Sequence, residues 1–121
     1  MNKNATAGAR ELLKLLYEIK GKNTLSGQHD YLEMPDHYSN IVKQLTGKYP
    51  AINGYELGGI MNQTDEELAA YRDNVIKSAI AWHKSGGIVT ITYHMNLPDG
   101  CYCWDSVNNG GISTEKFKEI I

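Results

Sequence analysis

Apolar positions along the chain switch between a helical spacing and short unbroken runs, and the switches divide it into alternating helices and strands. Leu12, Leu13, Leu15, Leu16 and Ile19 form a helical stripe, with Gly21 where a C-terminal cap belongs. Asn23 to Gly27 then predicts a short strand running into the polar group Gln28-His29-Asp30-Tyr31. Pro35 and Asp36 mark the start of a second helix, whose buried side is Tyr38, Ile41, Val42 and Leu45 and which Gly47 stops. Tyr49 to Leu57 reads as a second buried strand, with Gly58-Gly59 releasing the backbone just after Glu56. Thr64, with Glu67 three positions on, makes a capping box. It opens a long helix in which Leu68, Tyr71, Val75, Ile76, Ala79 and Trp82 share a face. Gly86-Gly87 closes that helix, and Ile88 to Thr92 is a third strand of almost purely β-branched residues. After a long loop, Ser113 or Thr114 starts a last helix carrying Phe117, Ile120 and Ile121.

Strands alternating with helices in this way predict an α/β protein of parallel βα units joined by right-handed crossovers. Strands of such a sheet are covered on both faces, which is why residues 88–92 read as a continuous apolar run. Three strands alone would leave two unpaired edges. The pattern therefore reads as the opening portion of a larger βα protein, with further βα units expected to pack on the open edges.

In parallel βα proteins ligands bind at the carboxyl edge of the sheet. Each predicted strand delivers polar groups there: Gln28, His29 and Asp30 from the first, Tyr55 and Glu56 from the second, and Tyr93, His94 and Asn96 from the third. Trp104 follows in the loop. A cleft lined by histidine, amide and carboxylate with an indole wall can grip a polyhydroxylated ligand by hydrogen bonds and stacking. Each residue also has a plainer role. His29 and His94 could tie loops to backbone carbonyls, Glu56 could pair with a basic neighbour, and Trp104 could cover the end of the sheet. His37 reads as surface, as does His83, while its neighbour Trp82 reads as packing.

Composition narrows the classes. A length of 121 residues suits one domain, and a formal charge of −2 gives no electrostatic case for nucleic acid or an anionic membrane. No apolar run approaches the roughly 20 residues that span a bilayer, and no apolar segment of secretory type follows Met1. Eight Tyr and two Trp against one Phe is an aromatic set suited to amphipathic ligands such as sugars. Cys101 and Cys103 are one residue apart, so a disulfide between them would be strained. A lone C-x-C also lacks the second ligand pair of a zinc site, and free thiols are expected. No dinucleotide, phosphate-loop, zincin or nucleophile-elbow motif is present.

The stretches TLSGQHDY (24–31), TGKYPAINGYEL (46–57), GGIVTITYHMNLPDG (86–100) and CWDSV (103–107), in this order and spacing, resemble the N-terminal part of glycoside hydrolase family 26, whose best-known members are β-mannanases. The resemblance implies a (β/α)8 barrel in which residues 1–121 supply the first three strands and the N-terminal part of a single catalytic domain. It implies a retaining glycosidase that acts on β-1,4-mannan or a related β-linked polysaccharide. The two glutamates of that mechanism would follow the fourth and seventh strands, beyond Ile121, so no catalytic residue is assigned in this chain and the chain alone is expected to be inactive. Neither metal nor organic cofactor is implied, and a secreted or periplasmic location is. His94 matches a histidine that contacts the sugar near the cleavage point, and Trp104 a tryptophan of the sugar-binding wall. With Asn96, His29 and Glu56 they form the expected substrate-binding set. The family's H-x-x-N-P gives way here to His94-Met95-Asn96-Leu97-Pro98, and Cys101-Tyr102-Cys103 precedes Trp104 as an addition. Two other readings stand beside this one. The chain could be a complete small sugar-binding α/β module that homodimerises to close its sheet edges, or a redox or metal module built on the cysteines.

Overall fold

Local chemistry fixes most element boundaries. The computed structural model describes residues 2–59, 63–94 and 113–119. Helix α1 (Ala7–Ile19) starts at Thr6, whose Oγ1 accepts from the Ala9 amide at 3.2 Å. Its leucine stripe is present, but none of its side chains is buried among the described residues. Strand β1 spans Gly27–Asp30, later than the predicted Asn23–Gly27. The ladder decides this: β1 begins pairing at Gly27 opposite Ile52. Residues before Ile52 include Pro50, which has no amide hydrogen to give a ladder. Strand β2 is correspondingly Ile52–Glu56 rather than Tyr49–Leu57.

Helix α2 (His37–Thr46) is entered through Asp36, held at φ 74°. Asp36 does not cap the helix with its own side chain. The carboxylate of Asp30, at the end of β1, does so instead, accepting from the amides of Tyr38 (2.6 Å) and Ser39 (3.3 Å). Gly47, at φ 78°, closes α2 by donating to the Lys43 carbonyl. Helix α3 (Asp65–Lys84) carries the predicted capping box in both directions: the Glu67 amide donates to Thr64 Oγ1 and the Thr64 amide to Glu67 Oε2. Strand β3 is Ile88–Thr92, as the sequence predicts. The last element described is a short helix, α4 (Thr114–Lys118).

The strands form one parallel sheet in the order β1-β2-β3, with Gly27, Ile52 and Ile88 in one row and Asp30, Tyr55 and Ile91 in another. Side chains alternate between the faces of a strand, so the register sorts every polar group. Asp30, Asn53, Tyr55 and Val89 turn toward the helices, where Leu32, Tyr55, Val75 and Ala79 form the core, flanked by Leu57, Leu68, Tyr71 and Val89. Full burial of a Leu or Val side chain there contributes about 1.5–3 kcal/mol. His29, Gly54, Glu56, Thr90 and Thr92 turn to the opposite face. Ile76 was expected on the inward side of α3 but is about half exposed, because Tyr71, Val75, Ala79 and Trp82 already make the contact stripe. The outer part of β3 is exposed as well, with no strand beyond it among the described residues.

Candidate sugar-binding site

Glu56 is the last residue of β2 and points away from the helices. It is 8% exposed and accepts four hydrogen bonds. Oε1 takes the amides of Gly58 (2.5 Å) and His94 (3.2 Å); Oε2 takes Thr92 Oγ1 (2.8 Å) and the His94 ring at Nδ1. Burial alone would push its carboxyl up, but the donors from Gly58, Thr92 and His94 outweigh burial and hold it below the usual carboxylate range. The expected pairing of Glu56 with a basic neighbour is thus present, and the neighbour is His94. The chain's close approach here depends on Gly58. A Cβ at that position would lie 2.5 Å from the His94 carbonyl oxygen and 2.7 Å from its nitrogen.

On the other side of the strand ends, Arg72 of α3 donates from Nε to the Leu57 carbonyl (2.8 Å) and from Nη2 to the Tyr93 hydroxyl (3.4 Å). Its guanidinium also lies over the Tyr93 ring, 5.5 Å from the centroid. Leu57 and Tyr93 are therefore pinned on the helix side while Glu56 and His94 are joined on the other.

Among the residues expected at the site, His29, Glu56 and His94 share the helix-free face. His29 lies in the row of Gly54 and Thr90, below the row of Glu56 and Thr92, and its ring rests against Gly54 where any Cβ would collide with it. Asn96 and Trp104 lie outside the described residues, as do Cys101 and Cys103. Other groups assigned to the strand ends turn away from the cleft. Asp30 is fully buried as the cap of α2, and Asn53 Nδ2 donates to it at 3.2 Å. Tyr55 donates its hydroxyl to Asp36 at 2.7 Å; burial and that bond push its phenol well above the ordinary value. Gln28 and Tyr93 belong to the same helix-side rows. The sequence reading missed Thr92, Gly58 and Arg72 as parts of the site. Only Gly58 carried a visible signal, as half of a diglycine after the strand.

The comparisons with known proteins bear on what this edge does. The family model of glycosyl hydrolase family 26 matches residues 1–121. The chain belongs to this family. It is 34% identical over 104 residues to a mannan endo-1,4-beta-mannosidase of Thermothelomyces thermophilus, covering 86% of this chain and 20% of that protein. The structure of the GH26A protein from Muricauda sp. MAR_2010_75 superposes with a TM-score of 0.80 at 30% identity, covering 99% of this chain and 38% of that one. The GH26 domain of an endo-beta-mannanase/endo-beta-glucanase from Prevotella bryantii gives 0.66 at 31% identity, over 80% and 29% of the respective chains. The family 26 chain thus spans about a fifth of its curated relative and between a quarter and two fifths of the solved structures. Its three parallel βα units match part of the (β/α)8 barrel of those relatives. In that barrel the helix-free face of the sheet is the interior, and the ends of β2 and β3 lie at the mouth. No described helix is long and apolar enough to cross a membrane.

Proposed function

We propose that this family 26 chain forms part of a secreted or periplasmic retaining glycoside hydrolase that cleaves β-1,4-mannan or a related β-linked polysaccharide. The observation that carries the reading is the junction of Glu56 and His94 at the carboxyl edge of the sheet, in a chain one-third identical to a protein named for cleaving mannan. His94, with His29, Asn96 and Trp104, lines the sugar-binding cleft, and Glu56 is joined to His94 at its mouth. Further βα units pack on the outer edges of β1 and β3. Hydrolysis proceeds by two displacements at the anomeric carbon, one glutamate acting as nucleophile and a second as acid and then base, about 5–5.5 Å apart. By the family resemblance both glutamates belong to later strands. The part supplied here binds and orients the sugar.

The experiment measures reducing-end release from mannan, xylan and mixed-linkage glucan, by residues 1–121 alone and by the chain extended through its natural coding sequence. The expected result is no release by residues 1–121 and preferential release from mannan by the extended chain. In the extended chain, Trp104→Ala weakens mannooligosaccharide binding by about 1 kcal/mol or more, the loss of a stacked ring. Hydrolysis by residues 1–121 alone, or a preference for another glycan in the extended chain, would overturn the reading.

A further inference from the structure

A carboxylate offers about four lone-pair positions, and in Glu56 all four are taken. Two backbone amides, one hydroxyl and one imidazole nitrogen of the same chain point at it. Glu56 therefore has no acceptor position left for a sugar hydroxyl, although it lies at the mouth of the cleft. Exposure separates the two partners in the same way. The side chain of Glu56 is 11% exposed, whereas that of His94 is 54% exposed. The carboxylate faces the protein and the imidazole faces outward.

We propose that Glu56 is a positioning residue, which touches no sugar and instead fixes the ring orientation and the tautomer of His94. An ionised carboxylate only accepts hydrogen bonds, so the ring atom against it, Nδ1, must carry the proton. In the neutral imidazole, Nε2 is then the nitrogen with the lone pair. In that state Nε2 accepts and does not donate, which suits a hydroxyl partner better than a carboxylate. The assignment deepens the proposed function and rests on it for the identity of the ligand; the tautomer itself does not depend on any ligand. Thr92 holds Oε2 from the other side, and the backbone amide of His94 binds Oε1 while its ring binds Oε2. The side chain is thus gripped at both ends, so that rotation about its χ angles would break a bond. Glutamine would keep its oxygen on the two backbone amides and set its NH2 against Thr92 Oγ1 and the His94 ring, so that Nδ1 would have to accept and the ring to take the other tautomer.

The test is 15N NMR of the histidine rings in the labelled chain near neutral pH, with His94 assigned by the loss of its signals in His94→Gln. The expected wild-type spectrum has a protonated-type Nδ1 and a lone-pair-type Nε2. In Glu56→Gln, with fold checked by the dispersion of the amide spectrum, the Nδ1–H form is no longer the dominant one. A wild-type His94 with its proton on Nε2, or on both nitrogens, overturns the proposal, and so does a folded Glu56→Gln with an unchanged His94 signature. The wild-type spectrum decides the matter even where the variant does not fold. Titration with mannohexaose separates the two readings. In the extended chain, wild type binds and Glu56→Gln binds about tenfold more weakly or worse, the scale of losing the carboxylate behind a metal-ligating histidine. The expected tautomer in a wild type that binds no mannohexaose would sink the mannan reading and leave the positioning role standing. Equal affinity of wild type and folded Glu56→Gln would sink the positioning role alone.

Discussion

At the scale of single residues, the four hydrogen bonds that Glu56 accepts give it a pH-dependent share of stability. Its carboxyl is held below the value it has in the unfolded chain, the donors outweighing burial. The ionised form therefore stabilises the fold at pH values above the unfolded glutamate value of about 4.3. That share is lost as pH falls through the lower, folded value. The difference in urea midpoint between wild type and Glu56→Gln is expected to shrink as pH falls below about 4. A difference that grows on acidification would contradict the assignment. The identities of Glu56 and His94 as candidates were legible in the sequence from their places at strand ends, but their bond was not. It joins positions 38 residues apart, and only the parallel register of β2 and β3 brings them together. Gln28, Asp30, Tyr55 and Tyr93 show the converse. Their nearness to strand ends was legible, but the face each one takes depends on where the ladder starts.

At the scale of elements, α2 and α3 begin in different ways, and their caps differ in cost. The α3 cap is local. Thr64 and Glu67 exchange bonds across three residues, which is why the T-x-x-E pattern disclosed it in advance. The α2 cap is remote: Asp30 reaches the Tyr38 and Ser39 amides from the end of β1 and also accepts from Asn53. No short motif marks it, because the intervening turn through Pro35 and the left-handed Asp36 must form first. Thr64→Ala should cost about 1 kcal/mol, the usual cost of losing an N-cap side chain. Asp30→Ala strips the acceptor from the buried Ser39 amide and the half-buried Tyr38 amide, weakens the hold on Asn53, and should cost about 3 kcal/mol or more. Chemical denaturation of the two variants against wild type measures both. Equal losses would mean that the Asp30 network carries no more than an ordinary cap. Strand limits follow the same division. β3 was legible because its β-branched run has sharp ends, whereas β1 was displaced by several residues because its extent is set by β2 and not by its own composition.

At the scale of the whole molecule, the alternation of periods made the parallel βα order legible, and the sheet order β1-β2-β3 agrees with it. The expectation that β3 is covered on both faces does not hold among the described residues, where Ile91 and Tyr93 are more than half exposed. Hydrogen exchange along β3 addresses what covers it. The Ile88 amide donates to Ala51 across the β2 ladder, and parallel pairing uses alternate amides on each side. The amides of Thr90 and Thr92 therefore also face β2, whereas those of Val89 and Ile91 face away from it. In residues 1–121 alone, Val89 and Ile91 should exchange quickly while the amides of β2, bonded on both sides, exchange slowest. When the chain is extended through its natural sequence and a fourth parallel strand pairs with β3, Val89 and Ile91 should become as protected as Thr90 and Thr92. Protection of Val89 and Ile91 in residues 1–121 that rises with protein concentration would instead identify a second copy at this edge and favour the dimeric binding module. The two alternating pairs of amides in one strand thus separate a barrel built by one chain from a sheet closed by two.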